Sequence, residues 1–105
     1  MSLGLGLAQA HAADPDAQLR AKKIPHEQAL AAIERERLEF ARVLSQREQE
    51  CLTRFFSARC LDQVTTDHLN AQRGFDLRRE EQRQAIRDID AALRALSRER
   101  RASSS

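Results

Sequence analysis

The chain has 105 residues, of which 32% are charged and 4% aromatic, and it contains neither Trp nor Tyr. This length excludes more than one domain, and the scarcity of aromatic and β-branched residues argues against a sheet-based fold. Eighteen basic and sixteen acidic residues give a net charge of +2, which does not predict the strongly basic face typical of nucleic-acid binding.

Residues 1–12 are predicted to be the remnant of a signal peptide. They carry no acidic or basic side chain other than one His, and most of them are apolar or small. Ala10, His11 and Ala12 fit the small-x-small pattern that precedes signal-peptide cleavage, here before Ala13. The sequence therefore predicts export to the periplasm. The alternative interpretation is a disordered, apolar N-terminus that is not a leader.

A first helical arm is predicted to begin at Asp14, which can cap a helix that has Pro15 at its first position. Pro25 lacks a backbone donor, so it is expected to kink this arm or to start a new helix. Between residues 26 and 56, apolar side chains recur at helical spacing and predict one stripe on one face. Its members are Leu30, Ile33, Phe40, Leu44, Cys51 and Phe55.

The two cysteines, Cys51 and Cys60, predict a reversal of the chain. An even number of cysteines in an exported protein favours a disulfide. A continuous helix would separate the two Cα atoms by about 13 Å, whereas a disulfide requires roughly 4.4–6.8 Å. An intrachain bond therefore requires a turn, which we place at residues 57–59. Two free thiols in one continuous helix, or two intermolecular disulfides in a dimer, are the alternatives.

The second arm is predicted over residues 61–101 and matches the first in length. Folding the chain at residues 57–59 into an antiparallel hairpin places Phe40 near Phe75. Gly74 either ends a short helix and breaks this arm, or lies inside one helix at a cost of about 1 kcal/mol. The predicted fold is all-α, an antiparallel two-helix hairpin of coiled-coil type over residues 13–101, with a disordered tail at 102–105. The stripe of the second arm comprises Leu61, Val64, His68, Phe75, Ile86, Ile89, Leu93 and Leu96.

No catalytic, metal-binding or cofactor-binding residue is predicted. The sequence lacks the glycine-rich phosphate loops and the zinc-protease, serine-hydrolase and EF-hand motifs. Two pairs of adjacent arginines, Arg78-Arg79 and Arg100-Arg101, are each expected to make at most a weak contact with acidic lipid.

The Cys-x8-Cys spacing, Phe55-Phe56 and Cys60-Leu61 together resemble a group of small, uncharacterised exported proteins of Gram-negative bacteria. Residues 77–81, Leu-Arg-Arg-Glu-Glu, match the Leu-Arg-Arg-x-Glu element in the second helix of that group. The resemblance covers about residues 27–97. It implies a periplasmic helical hairpin and carries no activity with it.

The sequence thus predicts a non-enzymatic periplasmic module that interacts with proteins or supports the cell envelope. Its partner is expected to be another protein or a second copy of the chain, because a thin two-helix seam leaves apolar surface uncovered. The alternatives are a holdase-like envelope chaperone, a periplasmic metal-binding protein using Cys51, Cys60 and His68, and a cytosolic nucleic-acid-binding coiled coil.

Overall fold

A computed structural model describes residues 14–104, and two long helices account for nearly all of them. Helix α1 spans Pro15–Leu52 and helix α2 spans Ser57–Ser104. Residues 53–56 join the two helices, which pack against each other as an antiparallel hairpin. No strand occurs within residues 14–104, so the all-α hairpin predicted from the sequence is confirmed.

The start of α1 follows the predicted capping pattern. Oδ1 of Asp14 accepts hydrogen bonds from the backbone N–H groups of Asp16, at 3.1 Å, and of Ala17, at 3.3 Å. These are two of the N–H groups that have no partner within the first turn of a helix. Pro15 occupies the first helical position, where its missing N–H costs nothing.

The first helix continues through Pro25 without interruption. The alternative in which a new helix starts at this proline is therefore wrong. Proline removes one backbone hydrogen bond from a helix interior. The helix nevertheless stays continuous over 38 residues. Two residues before the proline, Lys23 forms an ion pair with Asp90 of α2 at 2.9 Å.

The chain reverses at residues 53–56, earlier than the predicted turn at 57–59, which forms the first turn of α2. The last turn of α1 tightens before it ends. The backbone N–H of Thr53 donates to the Glu50 carbonyl at 3.2 Å, and that of Arg54 donates to the Cys51 carbonyl at 3.0 Å. The Thr53 hydroxyl donates to the same Glu50 carbonyl at 2.7 Å. These bonds satisfy terminal carbonyl groups and end the helix without Gly, Pro or Asn.

Helix α2 is continuous through Gly74, which decides between the two alternatives for the second arm. Gly74 does not adopt a positive φ, and a Cβ atom placed there would meet no other atom within 4 Å. Glycine is therefore not required at this position by backbone geometry or by close packing.

Contacts among the described residues group them into two compact units: a terminal unit of residues 14–28 and 83–104, and a central unit of residues 29–82. The hydrophobic core of the central unit is built on Leu44, Cys51 and Val64. The rings of Phe40 and Phe75 meet edge to face with their centroids 6.2 Å apart, which confirms the predicted antiparallel pairing of these two residues.

The terminal unit combines half-buried apolar residues of α2 with ion pairs between the helices. The ion pairs join Lys23 to Asp90 and Asp16 to Arg100. Residues 102–104 were predicted to be disordered but extend α2. The Ser103 hydroxyl donates to the Glu99 carbonyl at 2.9 Å, so this serine supports the last helical turn. The half-buried apolar residues are Ile86, Ile89, Leu93 and Leu96.

Candidate functional site

The closed end of the hairpin, residues 51–60, is here called the tip. Its two cysteines form a disulfide with Cα atoms 5.4 Å apart. Cys51 lies in the last turn of α1 with 1% of its surface exposed and packs with Leu44 and Val64, while Cys60 lies in the first turn of α2. The predicted intrachain pairing is therefore confirmed, in place of free thiols or an intermolecular bond. Because each sulfur is bonded to the other, neither is a thiolate available to a metal in this state.

Two adjacent phenylalanines project from the tip. Phe55 is 94% exposed and Phe56 is 74% exposed, and their rings contact each other edge to face with centroids 5.1 Å apart. Leu52, the last residue of α1, is also exposed. Exposed apolar side chains scattered singly are ordinary, but a contiguous group of large ones is typical of an interaction site.

The exposure of Phe55 corrects its predicted place in the buried stripe. The step of four residues from Cys51 to Phe55 predicts a shared face only while the chain remains helical. Helix α1 ends at Leu52, so the two residues no longer lie on one face. The other predicted stripe residues are buried or half-buried, with His68 exposed as a further exception: Leu30, Ile33, Phe40, Leu44, Cys51, Leu61, Val64, Phe75, Ile86, Ile89, Leu93 and Leu96.

Arginine side chains flank the two exposed rings. A groove of about 600 Å³ at the tip is lined by Phe55, Phe56, the disulfide, Arg54 and Arg59, among others. Within residues 14–104, neither Arg54 nor Arg59 forms an ion pair, although several arginines elsewhere do. The tip therefore presents two aromatic rings beside two arginines that form no ion pair within residues 14–104, and Glu50 lines the same groove.

A second, smaller groove of about 260 Å³ lies in the central unit and includes His68, Phe40, Phe75 and Arg79. The guanidinium of Arg78 lies 5.9 Å from the centre of the Phe75 ring, within range of a cation–π interaction. Arg79 forms an ion pair with Asp76. Among residues 14–104, no group of three or more His, Cys, Asp or Glu side chains is placed to hold a metal ion.

Ion pairs between the helices engage one arginine of each predicted basic cluster. Arg78 pairs with Glu36 at 2.5 Å, and Arg100 pairs with Asp16 at 2.7 Å. The hydrogen bond from Arg78 lowers the pKa of Glu36, and burial opposes this effect. In the same way, the hydrogen bond from Arg100 lowers the pKa of Asp16. These guanidinium groups stabilise the hairpin and are therefore less available to an external anion.

A fourth ion pair between the helices lies nearer the tip. Arg47 pairs with Asp67 at 2.8 Å, and Gln63 donates a hydrogen bond to the same carboxylate at 2.9 Å. The hydrogen bond from Arg47, followed by that from Gln63, lowers the pKa of Asp67. Arg47 also lines the groove at the tip, but its charge is already paired.

Sequence reasoning identified the cysteines but missed the tip as an exposed surface. The signal is present in the sequence as two adjacent aromatic residues between two cysteines. In the first helix as predicted, which runs to residue 56, successive residues point about 100° apart, so Phe55 and Phe56 could not both enter a narrow two-helix seam. At least one of the two rings therefore had to face solvent or a partner.

The predicted signal-peptide remnant, residues 1–12, lies outside the residues that the structure describes. Across residues 14–104, neither helix contains a segment that is both long enough and apolar enough to cross a bilayer. Comparison with known proteins found no protein-family model, no curated protein and no solved structure that matches this chain.

Proposed function

We propose that the chain is a non-enzymatic, exported helical module of the cell envelope that binds its partner through the tip. The observation that carries this proposal is the exposure of Phe55 and Phe56, 94% and 74%, directly beside the disulfide. The disulfide fixes the ends of the turn, so less conformational entropy is lost when the turn docks. Aromatic residues and Arg are also the side chains most enriched at the centres of binding interfaces.

The chemistry of the tip suits binding better than catalysis. A phenylalanine ring has no group that can transfer a proton, and an arginine guanidinium stays protonated throughout the ordinary pH range. Phe55 and Phe56 can bury apolar surface, and Arg54 and Arg59 can attract negative charge. These four side chains therefore favour a docking role for the tip.

Three observations support export. The pattern of residues 1–12 fits a signal-peptide remnant. The disulfide between Cys51 and Cys60 is of a kind that persists in oxidising compartments such as the periplasm. The resemblance of the Cys-x8-Cys segment to small exported proteins of Gram-negative bacteria points to the same compartment.

The docking role can be tested with a photo-reactive amino acid placed at Phe56 in cells of a Gram-negative host. The matched control carries the same probe at Leu77, which is 68% exposed on α2, close to the 74% of Phe56. We expect a discrete cross-linked product from position 56 and none from position 77. Equal labelling at both positions, or no product at position 56, would contradict the proposal.

Export is tested separately by intact mass. Expressed with its leader in the same host, the protein should yield a mass that begins at Ala13 and gains two hydrogen atoms on reduction. An uncleaved chain whose mass is unchanged by reduction would contradict export and would favour the cytosolic alternatives.

A further inference from the structure

We infer that the partner of the tip is the surface of an anionic lipid bilayer, which Phe55 and Phe56 enter while Arg54 and Arg59 contact the head groups. This inference rests on the proposed function, because it identifies the occupant of the same docking site. It is carried by the geometry of the two rings, by the local charge and by the size of the apolar surface.

The two rings stand at the one place in the described chain where the helical surface is interrupted. Residues 53–56 form the turn, and Leu52 adds a third exposed apolar side chain immediately before it. Apolar side chains that project from a turn can enter the boundary between head groups and acyl chains while both helices stay in water. Its backbone remains near the polar head groups, so its unpaired N–H and C=O groups stay hydrated.

The charge around the rings complements an anionic surface. Between Glu50 and Asp62 the sequence contains two arginines, Arg54 and Arg59, and no acidic residue, while Glu50 itself lines the groove and forms no ion pair with either arginine. Neither arginine forms an ion pair with another residue in 14–104. Basic side chains next to an anionic membrane each strengthen attachment about fivefold at physiological ionic strength. Head-group phosphates would supply the counter-charge that these two arginines do not find within the described part of the chain.

The area of the apolar surface argues against a second copy of the chain as the occupant. A phenylalanine buries roughly 150–250 Å² at most, so two rings fall well short of the roughly 800 Å² that each partner contributes to a standard protein complex. Reversible attachment to a membrane does not require such an area, because a few apolar side chains combined with basic residues are sufficient. The tip has the size and composition of a membrane anchor of this weak kind.

The sequence-based expectation of lipid contact pointed to other arginines. Arg78, Arg79 and Arg100 are engaged by Glu36, Asp76 and Asp16, respectively, whereas Arg101 forms no ion pair within residues 14–104. An anion that approached the three paired arginines would have to compete with a carboxylate already in place. Arg101 has no such competitor, but only the tip combines unpaired arginines with two exposed aromatic rings.

The test is co-sedimentation of the oxidised full chain with vesicles. One preparation contains equal amounts of phosphatidylglycerol and phosphatidylcholine, and the other contains phosphatidylcholine alone. We expect measurable binding to the anionic vesicles, weakening as salt is added, and at least tenfold weaker binding to the neutral ones. Failure to bind anionic vesicles at low salt would overturn the inference.

Two double variants identify the part of the molecule responsible. Phe55→Ser/Phe56→Ser should weaken binding on the order of a hundredfold because two apolar rings no longer enter the membrane. Arg54→Gln/Arg59→Gln should weaken it about twentyfold or more because two positive charges are lost. All four side chains are exposed, so circular dichroism should show an unchanged helix content in both variants.

Matched controls change the same residue types on the helices. Leu77→Ser removes an exposed leucine of α2, and Arg35→Gln/Arg73→Gln removes two exposed arginines that form no ion pair within residues 14–104. Binding within about twofold of the wild type is expected for both control proteins. Losses equal to those of the tip variants would mean that attachment depends on overall composition, and the inference would be wrong.

The photo-cross-linking experiment separates this inference from the proposed function. A cross-link from position 56 to an envelope protein, together with no binding to anionic vesicles, would overturn the lipid inference and leave the docking role of the tip standing. No cross-link and no vesicle binding would overturn both. Vesicle binding that requires the tip, with cross-links from position 56 to lipid, is the result we expect.

Discussion

Arg100, in the last turns of α2, donates a hydrogen bond of 2.7 Å to the carboxylate of Asp16 in the first turn of α1. The Asp16 side chain is only 9% exposed, and it lies within 3.9 Å of a second cation, Arg20. One acidic residue thus links the beginning of the first helix to the end of the second. This arrangement makes the terminal unit sensitive to acid.

The first prediction concerns pH. Hydrogen bonding from Arg100 lowers the pKa of Asp16 below its ordinary value of 3.8, so the folded state favours the ionised carboxylate. The resulting stability is fully present above the ordinary pKa and is lost as the pH falls through the lowered pKa of the folded state. Asp16→Asn should therefore lower Tm at neutral pH, and its difference from the wild type should shrink as the pH falls below the ordinary pKa of 3.8. Thermal unfolding followed by circular dichroism gives the Tm of the variant and of the wild type at each pH.

The control for the acid prediction is Asp62→Asn. Asp62 is exposed and forms no ion pair with another residue in 14–104, so its substitution should leave Tm nearly unchanged across the same pH range. Identical pH profiles for Asp16→Asn and the wild type would show that the Asp16–Arg100 pair contributes no stability.

The second prediction concerns the disulfide. Replacing both Cys51 and Cys60 by Ser should lower the free energy of unfolding by about 3 kcal/mol, because the denatured chain regains the freedom of the closed loop. Cys51 also packs in the core of the central unit, so a polar hydroxyl there adds to the loss. Urea titration of the variant and of the reduced wild type measures both contributions. A reduced wild type as stable as the oxidised protein would contradict this prediction.

The third prediction separates two phenylalanines by their surroundings. Phe40→Ala should lower the free energy of unfolding by roughly 2–4 kcal/mol, because Phe40 packs against Phe75 and the core of the central unit. Phe55→Ala removes the same atoms from a side chain that is 94% exposed, so its effect should stay within about 0.5 kcal/mol. Chemical denaturation of the two variants is a matched comparison, and similar losses would mean that Phe55 is packed.

The fourth prediction concerns Gly74. Gly74→Ala should raise the free energy of unfolding by about 0.5–1 kcal/mol, because the added methyl group meets open space and the unfolded chain loses freedom. Ala91→Gly, at an exposed position of the same helix, is the reciprocal control and should lower it by about the same amount. A destabilising Gly74→Ala would show that the glycine serves a role not visible in the helix geometry.

The hairpin was predictable because two independent constraints agree. Helical spacing of apolar residues predicts two long helices, and a bond between Cys51 and Cys60 is impossible unless the chain reverses between them. The position of the turn then sets the register that places Phe40 against Phe75. Long-range pairings such as Arg47 with Asp67 depend on helix rotation and side-chain conformation, which periodicity alone does not determine.

The details near helix ends were not predictable in the same way. Backbone hydrogen bonds within three residues decide where α1 stops, and sequence patterns locate such ends only to within a few residues. Because α1 ends at Leu52, the turn lies at residues 53–56 instead of the predicted 57–59, and Phe55 is not part of the buried stripe. The C-terminal serines were expected to fray, but Ser103 and Ser104 donate hydrogen bonds to carbonyl groups of the preceding turn.

The Cys51–Cys60 bond has a kinetic consequence, because its partners are only nine residues apart in sequence. The entropic cost of bringing two parts of a chain together rises with the length of the loop between them. Once the disulfide forms, the Arg47–Asp67 contact has only short segments left to order, and Glu36 with Arg78 then follows from nearby. Contacts between the two helices can therefore form in sequence, beginning at the tip and continuing towards the chain ends. Oxidation of one cysteine pair would act as the nucleation step for contacts as distant in sequence as Glu36 and Arg78, which are 42 residues apart.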